Sequence, residues 1–230
     1  MRDVVDNYVR ELLLQELKTP SILYWFCRTP SSTPDEKLAH IEQYNVLHDP
    51  LALIEHPTQI PAEVGVYGWY FLTLPPRTPT AAYYSIDSNA LLYVGITGIK
   101  GKTKTPRHLR KRIIGEHLRN DSYASTLRHS LAFLLHNALA LRVRPKRPGG
   151  TAWWLGAVGE QLLTDWLCGH ARVMFVPYDK PKSIETQLFA NCGHLLPFNI
   201  SRDNHRISDF GRRLRDERRD WVKQALTNAS

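Results

Sequence analysis

The chain is poor in cysteine, lacks a long apolar run, and carries none of the common nucleotide or metal signatures. Each absence removes a class of function. Cys27, Cys168 and Cys192 lie far apart with no C-x-x-C pair, which argues against a disulfide framework or a cysteine-rich zinc module. All three read as buried or incidental thiols. No stretch approaches the ~20 apolar residues that span a bilayer. The opening "MRDVVDNYVRELLLQELK" is too densely charged for a signal-peptide core. The chain is therefore expected in the cytoplasm, without a membrane partner. "GIKGKTKT" is glycine- and lysine-rich but mis-spaced for a phosphate loop, and H-E-x-x-H and G-x-S-x-G are missing. The ten histidines are scattered without metal-ligand spacing.

Acidic residues are also outnumbered. Lys and Arg total 30 against 22 Asp and Glu, a formal net charge of +8. The excess is concentrated in "KGKTKTPRHLRKRIIGEHLR", where Lys100, Lys102, Lys104, Arg107, Arg110, Lys111, Arg112 and Arg119 face a single Glu116. Smaller clusters follow in "RVRPKR" (142–147) and "GRRLRDERR" (211–219). Such patches fit a polyanion, most simply nucleic acid. In the last cluster, Arg212 with Asp216 and Arg213 with Glu217 stand at i,i+4, so a solvated, ion-paired face is favoured there over a DNA contact.

A length of 230 residues allows one large domain with an extension. Residues 1–60 read as a helical N-terminal extension. Val4, Val5, Tyr8, Val9, Leu12, Leu13 and Leu17 recur at helical spacing, and "DEKLAHIEQY" follows as a second helix. Residues 61–205 carry the main domain, and 206–230 a C-terminal helix. From Gly65 the period changes to two: Tyr67, Trp69 and Phe71 alternate with Val66, Tyr70 and Leu72. "AAYYSI" and "ALLYVGIT" continue the sheet, and helices then flank one more buried strand, "ARVMFVPY". The fold class is α+β, a small antiparallel sheet flanked by helices.

Glycine inside a strand packs nothing, so Gly65 and Gly68 around Tyr67, and Gly95 after Tyr93, need a reason. Alternation along "LLYVGI" predicts Tyr93 and Gly95 on one face and Leu92, Val94 and Ile96 on the other. The bare glycines would then let a nucleic-acid backbone approach the two phenols. Taken singly, Tyr67 and Tyr93 are half-buried strand aromatics and Arg112 is one more cation on a basic helix. Glu185 is a first-turn glutamate favoured by the helix dipole, and Asn199 is a turn residue.

Taken in order, these residues resemble a known family. Gly65-Val66-Tyr67 and Tyr93-Val94-Gly95 resemble the two halves of the GIY-YIG nuclease signature. Leu109 and Arg112 match its L-x-x-R helix, Glu185 in "SIETQLF" its lone glutamate, and Asn199 in "LLPFN" its asparagine. The connection between the tyrosines is longer than the compact family hairpin. Many members also place a histidine or tyrosine four residues after the arginine. Here Glu116 stands there and His117 comes one later. At about 100° per residue, a +4 side chain lies about 40° from Arg112 and a +5 side chain about 140° away. A one-residue bulge at Gly115 would bring His117 round; a surface pair between Arg112 and Glu116 is the alternative.

The resemblance implies a DNA endonuclease using Mg²⁺ or Mn²⁺ held by Glu185. Arg112 would clamp the phosphate, Tyr67 or Tyr93 would activate or position water, and Asn199 would orient the site. The basic strip, with Lys100, Lys102, Lys104, Arg107, Arg110, Lys111 and Arg119, would track the nucleic-acid backbone. A restriction-type or stand-alone bacterial or phage enzyme is implied, with double-stranded DNA as partner, and a duplex cutter with one site per chain calls for two protomers. A binding module that keeps the fold without cutting is the alternative.

Overall fold

The two tyrosine-bearing stretches pair with each other, and that pairing organises the molecule. A computed structural model of the chain describes residues 46–79, 85–86, 88–98, 107–119, 121–201 and 204–228. The helices expected before residue 45, and the loop with Lys100, Lys102 and Lys104, lie outside the described residues. In chain order the elements are α1 (Pro50–Glu55), β1 (Gly65–Phe71), β2 (Ser85–Ile86), β3 (Asn89–Ile96), α2 (Lys111–Leu118), α3 (Thr126–Leu135), β4 (Arg144–Pro145), β5 (Trp153–Trp154), α4 (Gly156–His170), β6 (Ala171–Pro177), α5 (Pro181–Cys192) and α6 (Asp209–Thr227). One antiparallel sheet runs in the order β2-β3-β1-β6, and β4-β5 form a separate ribbon. The α+β plan read from the sequence is the plan observed.

Every residue of β1 is buried because both sheet faces are covered. Tyr67, Trp69, Phe71, Tyr93, Val173 and Phe175 share one core with residues of α2, α3, α4 and α6. Val66, Tyr70, Leu91, Val94, Met174 and Val176 form the opposite core under Ile184, Leu188 and Phe189 of α5. The alternation expected along β1 therefore holds for these residues, while Leu72 falls just past the strand and is exposed. In β3 the expectation fails at one position. Trp69 pairs with Tyr93 but Tyr70 pairs with Leu91, and this bulge puts Leu92 in the same core as Tyr93. A bulge inserts one extra residue and re-aims its neighbours.

Both long edges of the sheet are closed by chain from elsewhere. His48 exchanges two backbone hydrogen bonds with Val173, at 2.9 and 3.0 Å, on the free side of β6. Phe198 N donates to Leu92 O at 3.1 Å on the free side of β3, and the amide of Asn199 closes the next position by bonding both backbone groups of Val94. Ser125 caps α3 by accepting from Arg128 N, and Ser208 caps α6 by accepting from Gly211 N, as short polar side chains do at helix starts.

Candidate active site

The helix after β3 is a π-helix over Lys111–Leu118, and its wider turn decides which side chains reach the sheet. Its last turn closes from Arg119 N to Ile114 O at 2.9 Å, an i to i+5 bond. Such a turn brings residue i+5 round towards residue i, a recurrent device at functional sites. The widening spans Gly115, whose residue type has among the weakest helix preferences. An added Cβ there would meet only Lys111 Cγ at 3.8 Å, so conformational ease, not space, is what glycine supplies. The two sequence alternatives do not exclude each other, although the Arg112–Glu116 pair is largely buried instead of lying on the surface. Glu116 pairs with the Arg112 guanidinium, and His117 turns onto the same phenol as Arg112.

That phenol is Tyr67. Its Oη accepts from Arg112 Nε at 2.9 Å and lies 2.7 Å from His117 Nε2. The other imidazole nitrogen, Nδ1, is 2.7 Å from Ser125 Oγ. Two tautomers satisfy this geometry, and in both a neutral ring bridges Tyr67 and Ser125. Burial, and then the Arg112 and Arg128 cations, push His117 well below the ordinary histidine range, so it is uncharged at neutral pH. Burial first, then Tyr93, push the Tyr67 phenol well above the ordinary tyrosine range, and Arg112 offsets only part of that. Arg112 is held more firmly protonated than usual, first by the Tyr67 oxygen and further by Tyr93 and Glu116, against its own burial. Because Tyr67 stays protonated, the full negative charge meeting Arg112 at neutral pH is that of Glu116.

Tyr93, Gly95, Arg107, Arg112, Glu185 and Asn199 all line one open cleft of about 400 Å³. Sheet, π-helix, α5 and the turn at 196–201 thus converge on a single space. Arg112 commits Nε to Tyr67 and Nη1 to Glu116, leaving Nη2 for a ligand in the cleft. Arg107 joins it, with Nη1 at 3.2 Å from Glu116. Asn199 is 5% exposed and commits its side chain to the backbone: Oδ1 accepts from Val94 N at 2.8 Å and Nδ2 donates to Val94 O at 2.6 Å. It therefore holds the strand between Tyr93 and Gly95.

Gly65 and Gly95 have an internal reason in addition to the expected approach of a ligand, for which Gly95 does line the cleft. Gly95 lies directly across from Tyr67, and a Cβ on it would stand 2.1 Å from the Tyr67 hydroxyl oxygen. At Gly65 it would stand 2.2 Å from Val176 O. Bare backbone at 95 makes room for the Tyr67 ring.

Glu185 presents a carboxylate whose side chain is 16% exposed, with Lys182 Nζ 2.7 Å from Oε2. Among the described residues no group of three or more His, Cys, Asp or Glu could hold a metal, so no all-protein cage is present. One carboxylate beside a phosphate-sized space fits a Mg²⁺ ion that keeps most of its waters, and Lys182 would have to yield the carboxylate to it.

The basic strip divides. Arg107 reaches the cleft and Lys111 is exposed, whereas Arg110 Nε and Arg119 Nη2 each donate to a carbonyl, of Ile60 and Ile54, at 2.8 Å. Residues that sequence reasoning did not assign to the site are Ser125 and Lys182. The signals were present as a helix-cap serine before α3 and a lysine three positions before Glu185.

Searches among curated proteins and among solved structures find no significant match to the chain. A family model described as the GIY-YIG catalytic domain matches residues 65–220. That span contains both tyrosine strands, the π-helix, Glu185 and Asn199, and on it the chain belongs to the GIY-YIG nuclease superfamily.

Proposed function

We propose that the chain is a Mg²⁺-dependent endonuclease that hydrolyses phosphodiester bonds in double-stranded DNA, of the restriction type, acting in the cytoplasm as a homodimer. The observation that carries this reading is the aimed guanidinium: Arg112, fixed through Nε on Tyr67 and Nη1 on Glu116, presents its remaining nitrogen to the cleft that Glu185 shares. Planar guanidinium matches phosphate oxygens, and fixed donors are worth most in a partly desolvated cleft. Mg²⁺ held by Glu185 supplies charge neutralisation at the phosphate and acidifies water.

The chain's own residues do the rest. Arg112 Nη2 takes a non-bridging oxygen of the scissile phosphate, assisted by Arg107. Tyr93, on the cleft wall, is the phenol placed to orient the attacking water. Tyr67, fully buried and neutral, anchors Arg112 instead of acting as the resting base. His117 holds Tyr67 from behind, and Asn199 keeps the Tyr93–Gly95 segment in register. Lys182, paired here with Glu185, would be available to an incoming phosphate oxygen if that carboxylate held a cation.

Plasmid nicking with Mg²⁺ against EDTA tests the reading, with cleavage expected only in the first. Glu185→Ala is expected to abolish cutting and to leave DNA binding largely intact. A purified protein that binds DNA and cuts nothing, with or without divalent metal, would instead be a non-cleaving module of the same fold.

A further inference from the structure

Beyond the cleft, the structure carries a second concentration of unpaired positive charge. Arg142, Arg144 and Arg147 on and beside the β4-β5 ribbon are exposed, and none of their guanidinium groups has a carboxylate or hydrogen-bond partner among the described residues. The arginines of α6 differ. Arg212, Arg215 and Arg219 each face an aspartate, although not in the pairs expected: Arg212 takes Asp209 instead of Asp216, and Glu217 is taken by Arg77 instead of Arg213. Three exposed guanidinium groups within six residues of sequence, without counter-charge, make a positive patch suited to an external anion.

The ribbon is also built to stay in shape. Its tip, Arg147-Pro148-Gly149-Gly150, places proline and then a glycine at φ 67° in the middle of the turn, and Gly150 N donates to Arg147 O at 3.0 Å. This is the residue choice of a type II turn. Lys146 N to Ala152 O, 2.8 Å, closes the hairpin below it. Aromatic surface lies among the charges. Trp154, directly opposite Arg144 in register, is 37% exposed, and Tyr123 is 51% exposed. Lys146 Nζ stands 5.5 Å from the Tyr123 ring centroid while pairing with Asp121. Tyr123 packs edge-on against Trp153 at 6.4 Å. It belongs to the same turn-to-helix junction as Thr126, which lines the cleft.

We propose that the β4-β5 ribbon is a second nucleic-acid contact, gripping the phosphate backbone of duplex DNA that runs past the cleavage cleft. The proposal rests on the DNA-cleaving reading of that cleft. Arginine forks suit phosphate oxygens, contacts of this kind set register without reading sequence, and a two-stranded ribbon is narrow enough for a major groove.

The test is fluorescence anisotropy on a labelled duplex in EDTA, across a salt series. It compares the wild-type protein with Arg142→Gln/Arg144→Gln/Arg147→Gln and with the matching triple lysine variant. The glutamine variant is expected to bind more weakly, with a plot of log K against log salt shallower by about 0.9 per lost contact, about 2.7 for all three. The lysine variant is expected to keep most of the slope. Arg147→Glu alone, at the turn tip, serves if the triple variant fails to fold, and it is expected to weaken binding in the same sense. Unchanged affinity and slope in the glutamine variant, with wild-type protein binding normally, would overturn the ribbon assignment and leave the cleavage reading standing. A wild-type protein that binds no duplex overturns both. The same titration on a labelled single strand completes the test: a glutamine variant weakened there and unchanged on the duplex would overturn the duplex assignment.

Discussion

Two arginine-bearing helices lie on this domain with similar composition and opposite uses. On α2, Arg112 is 15% exposed in its side chain and is tied to a buried phenol. On α6, Arg212 and Arg219 are more than half exposed and paired with aspartates one turn away. The chemistry of the side chain is the same in both. What differs is the floor beneath it. The π-turn brings His117 round to the Tyr67 phenol that Arg112 also holds, at a cleft lined by Glu185; there the charge of Arg112 is only partly screened, whereas the α6 pairs remain in water and contribute little. Arg218 marks the boundary. It turns inward from α6, donates to Thr126 O and Ser130 Oγ, and is pushed down to about 10, chiefly by burial.

Substitution at the two helices gives the widest separation. Arg112→Ala is expected to lower plasmid cleavage by about 10³-fold, the scale of losing one fixed transition-state donor, and Arg219→Ala to change it by less than about twofold. Comparable losses would mean that position on the sheet does not matter. Next is Tyr67→Phe, which keeps the ring and removes the oxygen between Arg112 and His117. Two buried polar groups lose their partner, about 1–3 kcal/mol of stability, and cleavage is expected to fall with it. Denaturant unfolding alongside nicking checks both, and a variant with full activity would release Tyr67 from its anchoring role.

Glycine substitutions sharpen the same contrast at smaller scale. Gly95→Ala drives a methyl into the Tyr67 hydroxyl and is expected to cost about 1–3 kcal/mol, as overpacking does. Gly115→Ala meets only ordinary contact distance and is expected to leave stability unchanged or to raise it by up to about 1 kcal/mol. Equal thermal shifts would refute the packing argument.

The last effect, absent at neutral pH, concerns acid. Burial, and then the Arg112 and Arg128 cations, hold His117 well below the ordinary histidine value of about 6.5, and His129, chiefly through burial, is pushed down to about 3. Below pH 6.5 the unfolded chain takes up protons that the folded chain refuses, so this contribution is complete above 6.5 and declines as pH falls. For His129 the decline runs towards about pH 3, at up to about 1.4 kcal/mol per pH unit. His129→Phe is expected to flatten the acid side of the stability profile without altering cleavage, because His129 packs edge-on against Trp153 away from the cleft. An unchanged slope would remove His129 from the acid response.

Much of this domain is legible without coordinates. The period-two runs at 65–71 and 89–96 act over a few residues. Of the residues singled out by type and order, Tyr93, Arg112, Glu185 and Asn199 come to line the cleft, and Tyr67 is buried. Other features are invisible at that range. Leu92 joins the face of Tyr93 only because β1 and β3 pair out of step by one residue. Asn199 looks like a turn residue until the edge of β3, 105 positions earlier, needs partners. Glycine at 95 is explained only by the tyrosine lying across it.

The sequence by itself determined the kinds of element, their order and the side chains available for phosphate chemistry, because propensity, periodicity and charge are local properties. Tertiary structure alone decided that His117 and Glu116 both serve Arg112, that Tyr67 is sealed in while Tyr93 faces the cleft, and that Arg110 and Arg119 are tied to carbonyls. Those outcomes depend on helix pitch, strand register and the burial of particular atoms, all set by contacts between residues far apart in the chain.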